Sequence, residues 1–269
     1  MRSVFKYRRS LQLGMQNALE YRGAFALGLF SAVWPIIIQF FLWSSLYRAT
    51  DGGMLFGYTY AQMITYTIFA NIVQQFLRTG FEYDINIDVK NGGLDKFIVR
   101  PIGYFNFYMT SFFGSKIVMS VFVFVLLGAA AVIINSVFGA VVTLTGIAMF
   151  LAVLVLACVL NYIIFFCVGM LAFWLTEIGF FYEAVRIIFI AASGGIFPLD
   201  VLGPNAVAVL NWMPFRYTVN FPVDVICGRL TAEQIVPGLL AMGLWIIALR
   251  LLAGALWHIG LKRYTAAGG

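Results

Sequence analysis

Residues 142–174 form one uninterrupted apolar run with no charged side chain, longer than the roughly 20 residues a helix needs to cross a bilayer. Few structures accommodate such a run. A barrel strand would alternate apolar and polar residues over segments of about ten, whereas here the apolar residues are continuous. That leaves a helix in lipid. Comparable stretches at 24–46, 58–77, 117–134, 180–196 and 236–257 complete a set of six expected spans. Charged residues are only 10% of the chain and hydrophobic ones 62%, where a soluble domain would carry about a quarter charged residues to cover its surface. The sequence therefore predicts an all-α integral membrane protein of six transmembrane helices.

The ends and connections carry the polar residues. In residues 1–23, Arg2, Lys6, Arg8, Arg9 and Arg22 interleave with Val4, Tyr7, Leu11, Met15 and Ala18 at spacings of three or four. This predicts an amphipathic helix lying in the cytoplasmic interface. No short apolar region with a small-residue cleavage site follows it, so no cleaved signal peptide is expected. Pro35 predicts a kink in the first span. Residues 78–104 hold Glu82, Asp84, Asp88, Lys90, Asp95, Lys96 and Arg100, punctuated by Gly92, Gly93 and Pro101. The first half is expected to form a short helix that Gly92 ends. Tyr104, Phe105, Phe107, Tyr108, Phe112 and Phe113 are expected to form an interfacial aromatic belt, with Lys116 snorkelling to the headgroups.

An uncharged turn over 135–140 is expected to follow the third span. The fourth span, longer than a bilayer requires, must tilt, bend near Asn161 or project beyond the membrane. A compact polar turn with Glu177, Glu183 and Arg186 should lead into the fifth. Residues 197–233 contain Pro198, Pro204, Pro214 and Pro222 among aromatics, too apolar for a free loop and too broken for a span. Short extracellular re-entrant helices before the last span fit that pattern.

Basic residues orient the chain. With the N-terminus inside, the tail cations, Arg78, Lys90, Lys96, Arg100, Arg186, Lys262 and Arg263 are all cytoplasmic, and only Arg48, Arg216 and Arg229 lie outside. Both termini are thus expected in the cytoplasm. Placed this way, the net charge of +6 belongs to membrane topology, and no nucleic-acid partner is expected. Cys158, Cys167 and Cys227 show neither a disulfide framework nor zinc spacing. With His258 the only histidine, no metal site is expected.

Two further patterns bear on function. Asn71, Gln74, Gln75 and Arg78 occupy one helical face in the inner half of the second span. An unpaired amide in hydrocarbon costs roughly 2–7 kcal/mol, so this stripe faces a partner helix or an inward-facing substrate vestibule, or else the span ends early. Trp34, Phe40 and Trp43 in the first span are candidates for a path that carries a hydrophobic or cationic compound.

Uphill transport needs an energy source. The chain has no G-x-x-x-x-G-K-[ST] loop, and all its acidic residues can be placed in loops or at span ends, leaving no intramembrane proton relay. The charged cytoplasmic segment 82–100 is then the natural place for an external engine to push. The run Asn91-Gly92-Gly93-Leu94-Asp95-Lys96-Phe97-Ile98-Val99-Arg100-Pro101-Ile102 resembles the G-x-L-D-x-x-L-x-R-P-I signature of the ABC-2 type permeases, with Phe97-Ile98-Val99 where the family often has leucine. The outer run Ser193-Gly194-Gly195-Ile196-Phe197-Pro198-Leu199 is similar to the corresponding family segment.

The resemblance covers nearly the whole chain and is nearest to a bacterial branch with two different permeases beside one ATPase. It implies a subunit in the bacterial plasma membrane that pairs with a sister or identical permease above an ATPase dimer. ATP and magnesium would be held by that ATPase and no cofactor by this chain. A coupling helix after the second span, from residues 82–89, would dock in the ATPase, with Glu82, Asp84, Asp88, Lys90, Gly92, Gly93, Asp95, Arg100 and Pro101 as the coupling segment. Two other readings stand beside it. A membrane-embedded enzyme or assembly factor would need clustered catalytic groups, and Asp200, Asp224 and Glu233 share the outer segment without a histidine. A secondary transporter would show inverted repeats, of which the halves give no sequence echo.

Overall fold

A computed structural model describes residues 2–20, 22–50, 53–98, 102–139, 141–175 and 178–264. In chain order its helices are α1 (Arg2–Glu20), α2 (Arg22–Ala49), α3 (Tyr60–Leu77), α4 (Phe81–Lys90), α5 (Asp95–Ile98), α6 (Tyr104–Phe138), α7 (Leu144–Met170), α8 (Gly179–Ala192), α9 (Pro204–Asn211), α10 (Asn220–Ile226) and α11 (Ala232–Leu261). Three helical stretches among the described residues are long and apolar enough to cross a membrane: Tyr104–Phe138, Leu144–Phe173 and Glu233–Leu261. The first, second and fifth expected spans correspond to α2, α3 and α8. Of these, α3 has 18 residues and carries the amide stripe, and α8 has only 14.

Local chemistry sets the boundaries. Thr59 and Gln62 cap α3 reciprocally: the Gln62 N–H donates to the Thr59 hydroxyl, and the Thr59 N–H to the Gln62 amide oxygen. The Thr143 hydroxyl accepts from the Gly146 N–H at the start of α7. The helix α4 ends at Lys90 with Asn91 as its C-cap, and Gly92 follows at φ +75°, a conformation that costs glycine nothing. The helix α2 continues through Pro35.

The central element is α7, which packs against α11, α10 and α4. Tyr162 on α7 is fully buried among Phe81, Phe105, Phe112 and Phe166, and its hydroxyl donates to the Phe105 carbonyl at 2.7 Å. Edge-to-face and tilted ring pairs of this kind add to the gain from area burial alone.

Several sequence expectations change. The aromatic residues 104–113 are no separate belt but the first three turns of the 35-residue helix α6. Tyr104, Tyr108 and Phe112 are buried, because α6 continues unbroken and lays this face inward. Lys116 does not snorkel; it is buried and bonded to the end of α3. Residues 135–138 belong to α6 rather than to a turn, and the Asn135 amide braces the true turn by donating to the Val142 carbonyl and accepting from its N–H. Asn161 does not interrupt α7, and the surplus length tightens into a 3-10 turn at Leu171–Phe173. Glu183 and Arg186 lie within α8, not in a turn before it, while Glu177 falls outside the described residues.

The N-terminal helix also packs differently from the sequence pattern. Ser10, Gly14 and Ala18 form its buried stripe, and α1 lies along the first half of α6. A Cβ on Gly14 would strike the Ser111 carbonyl, and one on Gly114 the Leu11 carbonyl. The two backbones are therefore in direct contact, the small-residue mode of packing in membranes. The Ser10 hydroxyl donates to the Phe107 carbonyl at 2.8 Å.

Candidate functional site

The segment expected to couple with an engine forms α4 and α5, and its acidic residues divide by helical phase. Phe81, Glu82, Ile85 and Asp88 are buried, while Asp84, Ile87 and Lys90 are exposed. Glu82 is fully buried and takes an ion pair from Arg186 of α8 at 2.6 Å and a hydrogen bond from the Thr79 hydroxyl at 3.2 Å. Arg186 also reaches Glu183 at 3.1 Å, whose carboxylate accepts from the Tyr83 hydroxyl at 2.6 Å. These bonds fasten α4 to α8.

Asp88 sits in a second cage, with Lys96 at 3.0 Å and the hydroxyls of Tyr108 and Tyr104 donating at 2.7 and 3.1 Å. Gly93 makes that cage possible: a Cβ there would lie 2.9 Å from the Asp88 Cα and collide with its carboxylate. Asp95 accepts from the Tyr264 hydroxyl at 2.8 Å, tying α5 to the end of α11. The Asp84 carboxyl is pushed above the usual range, first by desolvation and then by the like charges of Asp88 and Glu82. Arg100 and Pro101 lie outside the described residues.

The amide stripe on α3 leads inward from this module. Asn71 is buried, and its amide donates to its own helix at the Thr67 carbonyl, 2.8 Å away. Gln74 and Gln75 reach further. With Arg78, Thr79, Asn161, Glu183 and Arg186 they line a cavity of about 260 Å³ between α3, α7 and α8. The Gln74 amide nitrogen is buried without a hydrogen-bond partner, and Gly195 leaves room for it, since a Cβ there would collide with that amide. Gln75 approaches α2 at Gly28, where only a glycine clears its amide. The aromatic candidates do not join this cavity. Trp43 is buried in the core, while Trp34 and Phe40 are exposed on α2.

A third polar cluster lies at the opposite end. The Tyr58 hydroxyl donates to Asp224 at 2.8 Å and Asp200 at 3.2 Å, and Arg229 bridges the same carboxylates at 3.3 and 3.0 Å. The Arg229 guanidinium lies 3.5 Å from the Tyr58 ring centroid, close enough for cation–π attraction. Burial pushes the Asp224 carboxyl up to about 6, against the opposing pull of Arg229 and Tyr58. Next to it, the Tyr66 hydroxyl donates to the Gly194 carbonyl at 2.7 Å and accepts from the Asn220 amide at 3.1 Å. The glycine turn after α8 is thereby pinned to both α3 and α10. Sequence reasoning grouped Asp200 with Asp224 but missed Arg229 and Tyr58, whose distant positions give no periodic signal.

Three polar sites result: the anchored helix α4, the cavity beside Gln74 and Gln75, and the locked segment around Asp224. Glu82, Asp88, Asp95, Asp200 and Asp224 are each held by a cation or a tyrosine. No curated protein matches the chain closely enough to stand as a relative. The family profile described as ABC-2 family transporter protein matches residues 33–268, nearly the whole length. The chain belongs to the ABC-2 family of transporter proteins and is a multi-pass membrane component of a transporter.

Proposed function

We propose that this chain is the permease subunit of an ATP-driven exporter in the bacterial inner membrane, with no catalytic site of its own. It crosses the membrane six times, through α2, α3, α6, α7, α8 and α11, with both termini in the cytoplasm, a reading that the placement of arginine and lysine supports. The 14 residues of α8 span only about 21 Å, and the glycine turn pinned by Tyr66 completes that crossing. A second permease, sister or identical, closes the path, and a separate ATPase dimer supplies ATP and magnesium.

The observation that carries this reading is the two-sided character of α4. Its inner face is fixed to α8 through Glu82 and Arg186 and to α6 through Asp88, while Asp84, Ile87 and Lys90 are exposed. Ile87 is 54% exposed, an apolar knob on a charged cytoplasmic helix. Such a helix moves with the spans to which it is anchored and offers the other face to a groove on a motor. The polar cavity behind Gln74 and Gln75 supports an inward-facing vestibule on the same route.

The test is Ile87→Glu in the chain co-purified with its ATPase. Transport and substrate-stimulated hydrolysis should fall at least tenfold, a typical effect for an interface anchor, while the thermal stability of the chain alone is unchanged. Transport by the isolated polypeptide with no ATPase present would overturn the reading. So would wild-type coupling in the variant.

A further inference from the structure

Lys116 is a cation that transport does not explain. It is 5% exposed on the apolar helix α6, where a charge is costly unless compensated. Its Nζ donates to the Phe76 carbonyl, and to that of Arg78 at 2.8 Å. The ring centroids of Phe112 and Phe76 lie 4.8 and 5.5 Å away. Carbonyl ends of a helix and ring faces offset part of a positive charge. Full compensation takes an anion, and among the described residues no carboxylate lies within ion-pair distance of Lys116. Two of its three N–H donors are used, leaving one for the space it borders.

That space is a cavity of about 390 Å³, in the size range of small-ligand sites. Besides Lys116 it is lined by Arg78, Gln75, Ser111, Ser115 and Asp84, and α1 roofs it at Gly14 and Asn17. Two cations and neutral donors make it attractive to a phosphate. The Asp84 carboxylate on the same wall opposes a simple anion. A ligand with a phosphate and an ammonium a few bonds apart satisfies both ends. Lys116 also borders a second cavity of about 230 Å³, whose other walls include Phe113, Ile117, Phe124 and Leu154. A polar chamber and an apolar trough meeting at one lysine fit an amphiphile.

We propose that the chamber beneath α1 binds a phosphoethanolamine lipid, with its phosphate between Arg78 and Lys116, its ammonium against Asp84, and an acyl chain in the trough between α6 and α7. The site needs neither ATPase nor substrate and touches the coupling reading only at Asp84, where the exposed face of α4 meets the chamber.

The experiment uses the full chain in detergent, with thermal unfolding and native mass spectrometry. The probes are phosphatidylethanolamine, phosphatidylglycerol, phosphatidylcholine and inorganic phosphate. Phosphatidylethanolamine should raise the melting temperature most and remain bound. Arg78→Gln, an exposed change, should weaken every phospholipid about tenfold, the loss of one charge-assisted hydrogen bond. Asp84→Asn should abolish the preference for phosphatidylethanolamine over phosphatidylglycerol while leaving the chain folded. Lys116→Met removes the cap on α3 as well, so the two milder variants decide the matter. Equal stabilisation by the three lipids would overturn the proposal, as would an Asp84→Asn variant that keeps the preference. An equal shift with inorganic phosphate alone would mean a free-anion site and would overturn it too.

Discussion

Removing Arg186 should hurt this protein more than removing its partner Glu82, although they share one 2.6 Å contact. Glu82 is fully buried, and one of its carboxylate oxygens already lacks a partner. Arg186→Met strands that carboxylate with only the Thr79 hydroxyl, and an uncompensated buried charge costs about 3–5 kcal/mol. Glu82→Gln is milder. Arg186 retains Glu183 at 3.1 Å, and the amide can still accept from it, so the loss is that of one charge-assisted bond, about 1.5–3 kcal/mol. The double variant buries no charge at Glu82 and should cost no more than Arg186→Met alone. The coupling energy should then be at least the cost of Glu82→Gln, about 1.5–3 kcal/mol, at the upper end of what residues in direct contact show.

Reversible unfolding in mixed micelles, followed by the fluorescence of the six tryptophans, measures all four corners of the cycle. Additivity within about 0.5 kcal/mol would refute the buried pair. So would Glu82→Gln proving the more damaging single change. Because the pair joins α4 to α8, the same variants should lower transport per ATP hydrolysed.

Further expectations concern packing and charge elsewhere. Gly93→Ala, whose Cβ would press on the Asp88 backbone, should cost about 1–3 kcal/mol and expose α4 to limited proteolysis. Gly114→Ala should separate α1 from α6, read as faster protease cleavage within residues 2–20 while the core stays folded. Arg229→Met leaves Asp200 and Asp224 facing each other across the Tyr58 hydroxyl, with a loss of about 3–5 kcal/mol that Arg229→Lys only partly restores. The Asp224 carboxyl at about 6 lies above its ordinary 3.8, so the folded chain binds that proton more tightly than the unfolded one. Stability should therefore rise as pH falls from about 7 to about 5, and Asp224→Asn should remove that part of the pH dependence in melting curves.

Hydrophobic patterning carried most of the architecture. A helix in lipid must satisfy its own backbone, so runs such as 142–174 and 236–257 could become little other than helices. Glycine chemistry likewise marked the end of α4 at Gly92. The functional segment was legible as a stretch but not in its orientation. Glu82 and Asp88 share the phase of Phe81 and Ile85, the stripe that turns inward, while Asp84 and Ile87 share the other. That phase was readable, yet charged residues on an apolar stripe invite the assumption that they face water.

Whether a buried charge is tolerable depends on a partner far along the chain: Arg186 for Glu82, the end of α3 for Lys116, Arg229 for Asp224. Sequence alone determined that this chain lives in lipid and is built of helices, because those follow from transfer free energy and local hydrogen bonding. Only tertiary structure decided which polar groups are structural locks and which remain available to a ligand or a motor. Electrostatic compensation is a property of distances in space, and the order of residues does not encode those distances locally.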